Sequence, residues 1–74
     1  MKWQDLRPSP QLRAAAALRA REHAARCRHL ADWCEAMAAW NASRHQWLAA
    51  RDWGYRQRGF REQAARWEQE ASER

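Results

Sequence analysis

The chain has 74 residues and a formal net charge of +5, so it is at most one small basic domain. Its hydrophobic fraction of 46% overstates the core, because 17 of those residues are alanine and none is isoleucine or valine. Threonine is absent too, so the β-branched residues that strands favour are missing. Alanine, arginine, glutamine and glutamate instead favour helices, and the composition predicts an all-α protein.

The first ten residues differ in character from the rest. Pro8 and Pro10 bias the residues before them toward extended backbone, which predicts an extended N-terminal arm over 1–10. Ser9 followed by Pro10 is a typical helix start, with the serine as N-cap and the proline at the first helical position. The remainder, 11–74, is predicted to form one helical hairpin.

Nothing interrupts a helix from residue 11 to residue 40, where glycine, proline, serine, threonine and asparagine are all absent. The first helix is therefore predicted over about 10–40. Small and apolar residues recur along it at alternating steps of four and three, the spacing of a coiled-coil seam: Ala16, Ala20, His23, Cys27, Leu30, Cys34 and Met37.

The pattern pauses at 41–43, where we predict the turn between two helices. Asn41 tolerates the left-handed backbone that ends helices, and Ser43 with Gln46 fits a capping box for the next helix. The second helix is predicted over about 44–72 and remains continuous through Gly54 and Gly59. Its seam stays in phase across both glycines: Gln46, Ala50, Trp53, Gln57, Phe60, Ala64, Trp67 and Ala71.

Folding the chain back at residue 42 predicts which residues of the two helices meet. His23 is expected opposite Phe60, and Cys27 opposite Gln57. Trp33, Trp40 and Trp47 follow one another at seven-residue steps. The first two flank the first seam and Trp47 lies well off the second, so one hairpin cannot cover all three rings. We therefore predict a homodimer that forms a four-helix bundle, in which these residues build the core or the dimer interface: Leu30, Trp33, Met37, Trp40, Trp53, Phe60 and Trp67. The Trp33, Trp40 and Trp47 rings could equally form the surface that recognises a target.

A second pattern follows the outer side of the second helix. Arginine and aromatic residues alternate there at three- and four-residue steps, and we call this set the basic stripe: Arg44, Trp47, Arg51, Tyr55 and Arg58. Arginine beside aromatic rings suits acidic protein surfaces, phosphate backbones and stacked bases. A solvated helix face with internal cation–π pairs would show the same spacing.

Other chemistry receives less support from the sequence. Cys27 and Cys34 are seven residues apart on one predicted helix, about 10.5 Å, which is too far for a disulfide. With His23 they could contribute to a metal site only together with a dimer mate, so no metal or other cofactor is expected. The histidines lack a nucleophile partner in the sequence, and we expect the chain not to be an enzyme.

The middle of the chain resembles the small PerC/ANR-type helical regulators that phages and mobile elements carry. The matching residues are Trp33-x-x-Ala36-x-x-x-Trp40 and then Arg44-x-x-Trp47-Leu48-x-x-Arg51, over about 20 residues. Proteins of that group act by binding transcription regulators or nucleoid proteins. In its size and helical character the chain is also similar to phage-encoded anti-activators, which are compact helical dimers. The resemblance implies that Trp33, Trp47 and Arg51 are the positions that match that group.

These observations lead to one preferred function and two alternatives. We expect a protein-binding module, encoded by a phage or mobile element, that inhibits or modulates a host protein in the bacterial cytoplasm, with a transcription regulator as the favoured target. The basic stripe would bind that partner. The alternatives are a nucleic-acid-binding helical protein and, less favoured, a metal-binding bundle. No stretch is apolar enough to suggest a membrane partner.

Overall fold

The computed structural model describes residues 9–73, which form two helices that pack against each other as an antiparallel hairpin. Helix α1 spans Pro10–Ser43 and helix α2 spans Trp47–Glu73. No strand occurs between residues 9 and 73, which confirms the all-helical hairpin predicted from composition. Most of the predicted N-terminal arm lies outside the described residues, as does Arg74.

Helix α1 begins where the sequence predicts. The backbone N–H of Leu12 donates to Ser9 Oγ at 3.2 Å, and the N–H of Arg13 donates to the Ser9 carbonyl at 3.0 Å. Pro10 occupies the first turn, where its missing N–H leaves no helical hydrogen bond unmade. The serine–proline pair therefore acts as the predicted N-terminal cap.

The turn lies three residues later than predicted, over 44–46 rather than 41–43. Asn41 is buried, and its side-chain amide donates to the Met37 carbonyl at 2.7 Å. The Ser43 hydroxyl donates to the Trp40 carbonyl at 2.6 Å, so it bonds back into α1 and does not cap α2. Short polar side chains can donate a hydrogen bond to a carbonyl of the preceding helical turn, and both Asn41 and Ser43 do so. The helix therefore continues through them.

Helix α1 ends in a Schellman motif centred on His45. The N–H of Gln46 donates to the Asn41 carbonyl at 2.9 Å, and the N–H of His45 donates to the Ala42 carbonyl at 3.0 Å. His45 has a φ of 60°, in the left-handed region that the motif requires at this position. Histidine is among the few non-glycine residues enriched there, which explains how the chain turns without a glycine.

The later turn changes which residues face each other. The His23 ring stacks on Trp67 with ring centroids 4.7 Å apart, and Cys27 Sγ lies 3.8 Å from Gln63 Oε1. Phe60 and Gln57 were the partners expected for His23 and Cys27, so that register is wrong by almost two helical turns of α2. Opposed residue numbers sum to 90, because the chain reverses at residue 45 and not at 42.

The core between the helices consists of small side chains. Its α1 stripe has steps of three and four: Ala17, Ala20, Ala24, Cys27, Ala31 and Cys34. Ala20, Cys27 and Cys34 belong to the predicted seam. At the other three positions the buried residue is the one that follows the predicted one: Ala17 for Ala16, Ala24 for His23 and Ala31 for Leu30. On α2, Ala64 and Ala71 are buried. Apart from exposed Gln46, the other members of the predicted α2 seam are half-buried.

Candidate partner-binding surfaces

The five residues of the basic stripe are all exposed. Trp47 is 63% accessible and Tyr55 is 60% accessible, which is unusual for large aromatic side chains. At about 100° per residue the α2 members of the stripe lie roughly 150° from the α2 seam, on the side that faces away from α1. The hairpin thus presents the stripe to solvent along the first three turns of α2.

Arg44 lies in the turn and not on α2, and its contacts differ from those of the other members of the stripe. Its guanidinium carbon is 4.8 Å from the centroid of the Trp40 ring on α1. Arg58 lies 5.9 Å from the Tyr55 ring. The His45 ring meets Trp47 edge-on at 5.7 Å. These distances are within the range of cation–π and edge-to-face contacts, which hold the side chains loosely in place.

Leu48 extends the apolar part of this surface and was not among the predicted partner-binding residues. It is 71% accessible, the highest value among the large apolar side chains between residues 9 and 73. It follows Trp47 directly, and Arg51 comes three residues later on the same side of α2. The available signal was its position outside the α2 seam, since an apolar residue off the seam has no place in the hairpin core.

One edge of the hairpin, which we call the ion-pair flank, carries charged pairs between the helices. Arg28 of α1 pairs with Glu68 of α2. Arg61 of α2 lies 3.3 Å from Glu35 and 3.6 Å from Asp32, both of α1. All these side chains are about half exposed or more, so each pair contributes at most about 1 kcal/mol to stability.

The opposite edge, which we call the aromatic flank, carries large apolar side chains of α1. The partly exposed Trp53 and Phe60 of α2 lie on the same edge. Its α1 members lie about 100° from the buried stripe, on the other side from the ion pairs: Leu30, Trp33, Met37 and Trp40. Trp33 is 53% and Trp40 is 52% accessible. Trp33 meets Trp53 edge-on at 4.9 Å, and Arg56 lies 4.8 Å from the Trp53 ring.

The residues predicted for the core or dimer interface therefore divide into two groups in the single hairpin. Trp53, Phe60 and Trp67 of α2 are half-buried, as is Met37 of α1. Leu30, Trp33 and Trp40 are exposed on the aromatic flank.

The possible metal ligands do not converge. The His23 imidazole stacks on Trp67, while Cys27 and Cys34 are buried free thiols two helical turns apart. Within residues 9–73 no group of three or more histidine, cysteine, aspartate or glutamate side chains could hold a metal ion.

Neither α1 nor α2, as described, has a stretch long and apolar enough to cross a lipid bilayer. Comparisons of the chain with protein-family models, with curated proteins and with solved structures found no match. The fold defines the chain as a two-helix antiparallel hairpin that carries two exposed aromatic surfaces, the basic stripe and the aromatic flank.

Proposed function

We propose that this chain is a small non-enzymatic protein-binding module that binds a partner protein through the basic stripe. The observation that carries the proposal is the exposure of Trp47 and Tyr55 between arginines on a rigid helix. Tryptophan, tyrosine and arginine dominate the energetic hot spots of protein interfaces. A helix holds them at fixed spacing, so little conformational freedom is lost on binding.

The chemistry of the stripe defines the partner surface. Trp47 and Leu48 would enter an apolar pocket at one end, and Tyr55 would occupy a second one two turns along α2. Arg51 and Arg58 would meet carboxylates between and beyond these pockets, where charge complementarity steers the encounter and fixes the register. The partner is thus an acidic protein surface with apolar depressions.

The proposed setting follows the sequence resemblance. We propose a phage or mobile-element protein that acts in the cytoplasm of a bacterial host, with a transcription regulator as the favoured target. Binding would block the DNA-contacting or dimerising surface of the target by occlusion, so no chemical step is needed. We further propose that the hairpin works as a homodimer whose two copies form a four-helix bundle.

The test compares stripe variants with exposure-matched controls. Trp47→Ala and Arg51→Ala should each reduce retention of the partner by at least tenfold, since hot-spot truncations cost about 2 kcal/mol or more. Leu12→Ala and Arg21→Ala serve as controls, because Leu12 is 62% accessible and Arg21 is an exposed arginine of α1, both outside the stripe. The measurement is quantitative mass spectrometry of host proteins retained by each full-length variant.

Circular dichroism and sedimentation accompany each variant. Stripe variants that lose the partner while keeping helix content and oligomeric state support the proposal. Equal losses in stripe and control variants, or loss of fold with Trp47→Ala, would contradict it. If nuclease treatment removes all binding, the partner is a nucleic acid, and a steep loss of binding with salt should accompany that result because phosphate contacts weaken steeply with salt.

A further inference from the structure

The single hairpin buries none of its large apolar side chains between residues 9 and 73 completely and leaves several of them exposed. The buried residues between 9 and 73 are alanines, the two cysteines and Asn41 near the end of α1, and the largest fully buried side chain is that of Cys34. The hairpin measures 65 × 16 × 14 Å, a cross-section of two helices, so no residue of 9–73 shields the outer sides of either helix. A fold of this size normally needs more apolar burial than an alanine seam supplies.

Charge separates the two exposed aromatic surfaces. The basic stripe carries three arginines, so stacking it on its own copy would bring like charges together. On the aromatic flank the α1 segment from 30 to 40 carries no arginine, and its charged residues, Asp32 and Glu35, both pair with Arg61 on the other edge. The α2 side of the flank carries Arg56, which lies against the Trp53 ring. A second copy that places α1 of one chain on α2 of the other would set Arg56 against this arginine-free segment of α1, whereas the basic stripe suits an acidic partner.

The α2 side of the aromatic flank has a shallow depression lined by Arg56, Gly59, Phe60 and Gln63. A Cβ on Gly59 would meet nothing within 4 Å, so packing inside the hairpin does not require a glycine there. Glycine is the least favourable helix-interior residue after proline, and it is used where another group approaches the backbone closely. A Cβ on Gly54 would also meet open space. Gly54, however, lies about 140° around the α2 axis from Gly59, on the side of the ion-pair flank.

The position of each ring along the helix axes indicates which one can reach this depression in a second copy. With opposed residue numbers summing to 90, Gly59 lies level with residue 31 of α1. Trp33 is two residues further along, about 3 Å, on the same flank. A two-fold axis can therefore place Trp33 of each copy on the other copy in one symmetric contact.

We infer that a second copy of this chain packs on the aromatic flank, with the Trp33 indole of each copy seated over Gly59 of the other between Arg56 and Gln63. This inference rests on the proposed homodimer and specifies its interface. The seat gives the Trp33 ring an apolar floor and covers its exposed half. The two basic stripes remain exposed on the outer sides of the bundle.

The experiment is sedimentation equilibrium on the full chain and two matched variants, Gly59→Gln and Gly54→Gln. Glutamine favours helix and its side chain meets open space at either position within the hairpin, so both variants should be at least as helical as the wild type. The wild type is expected at twice the chain mass of 8.8 kDa. Gly59→Gln should raise the dimer dissociation constant at least tenfold, and Gly54→Gln should change it less than twofold.

Two different outcomes would overturn the two parts separately. A wild type that remains at 8.8 kDa at concentrations up to hundreds of micromolar removes the homodimer itself. If the two glutamine variants change the dimer dissociation constant equally, or not at all, the proposed contact of Trp33 with Gly59 is wrong while the homodimer stands. Trp33→Ala gives a second reading, since it should weaken the dimer as Gly59→Gln does while circular dichroism shows the helices intact.

Discussion

His45 shows how one residue sets the geometry of the whole hairpin. Its left-handed backbone closes the Schellman motif that ends α1 and directs the chain into α2. A residue with a Cβ is strained in this region, where glycine is not. The sequence offers no glycine between residues 1 and 53, and its signal for the turn was placed on Asn41, a residue that the structure keeps helical.

Replacing His45 by glycine is expected to stabilise the protein by about 1 kcal/mol, because glycine adopts a positive φ without steric strain. His45→Ala is the control, since it also removes the contact with Trp47 but keeps the Cβ. The measurement is the free energy of unfolding from urea titrations at one protein concentration. If the glycine variant is no more stable than the alanine variant, the backbone strain at this position is not what limits stability.

Ala24 and Ala31 of α1, both fully inaccessible, illustrate packing at the scale of the element. Because their side chains end at Cβ, these alanines leave room for the rings of α2 to pack against the sides of α1, as Trp67 packs on His23. Exposed alanines occur on the same helix, Ala25 among them, so residue type alone does not indicate which alanines face α2.

Ala24→Leu is expected to destabilise the fold by about 1–3 kcal/mol, since a larger side chain in a filled helix interface forces the helices apart. Ala25→Leu is the matched control at an exposed position, where it should change stability by less than about 0.5 kcal/mol. Leucine and alanine have similar helix propensities, so the difference between the variants reports packing. Equal effects in thermal denaturation would mean that the helices do not pack through this stripe.

Considered as a whole molecule, the hairpin has two unlike edges. Exposed ion pairs join the helices on the ion-pair flank and are screened by salt. The aromatic flank offers apolar area that only another surface can cover. If a second copy covers it, folding and association are coupled, and stability depends on protein concentration.

The midpoint of thermal unfolding should therefore rise with protein concentration between about 5 and 500 µM, because mass action favours a folded dimer over unfolded chains. The same rise is expected in 1 M salt, since apolar burial and not ion pairing drives the proposed association. Circular dichroism in cells of different path length follows the transition. A midpoint that is constant over this range would show that the hairpin is stable as a single copy.

The sequence by itself determined the helical class, the cap at Ser9 and the continuity of α2 through Gly54 and Gly59. It also determined the α2 seam except for Gln46, which lies exposed in the turn, because these features depend on local propensity and on the spacing of residues along one helix. It indicated the exposed basic stripe for the same reason, since a residue far from the seam on a helix faces solvent.

Only the tertiary structure decided where the chain reverses and which residues meet. Asn41 and Ser43 can cap a helix or bond back into one, and in the folded chain Asn41 is buried and donates to the Met37 carbonyl of α1. A three-residue change in the turn shifts every pair across the hairpin, so His23 meets Trp67 and not Phe60. It also decided that α2 covers the alanines of α1 and leaves Trp33 and Trp40 exposed, because helix packing depends on the shapes of both surfaces together.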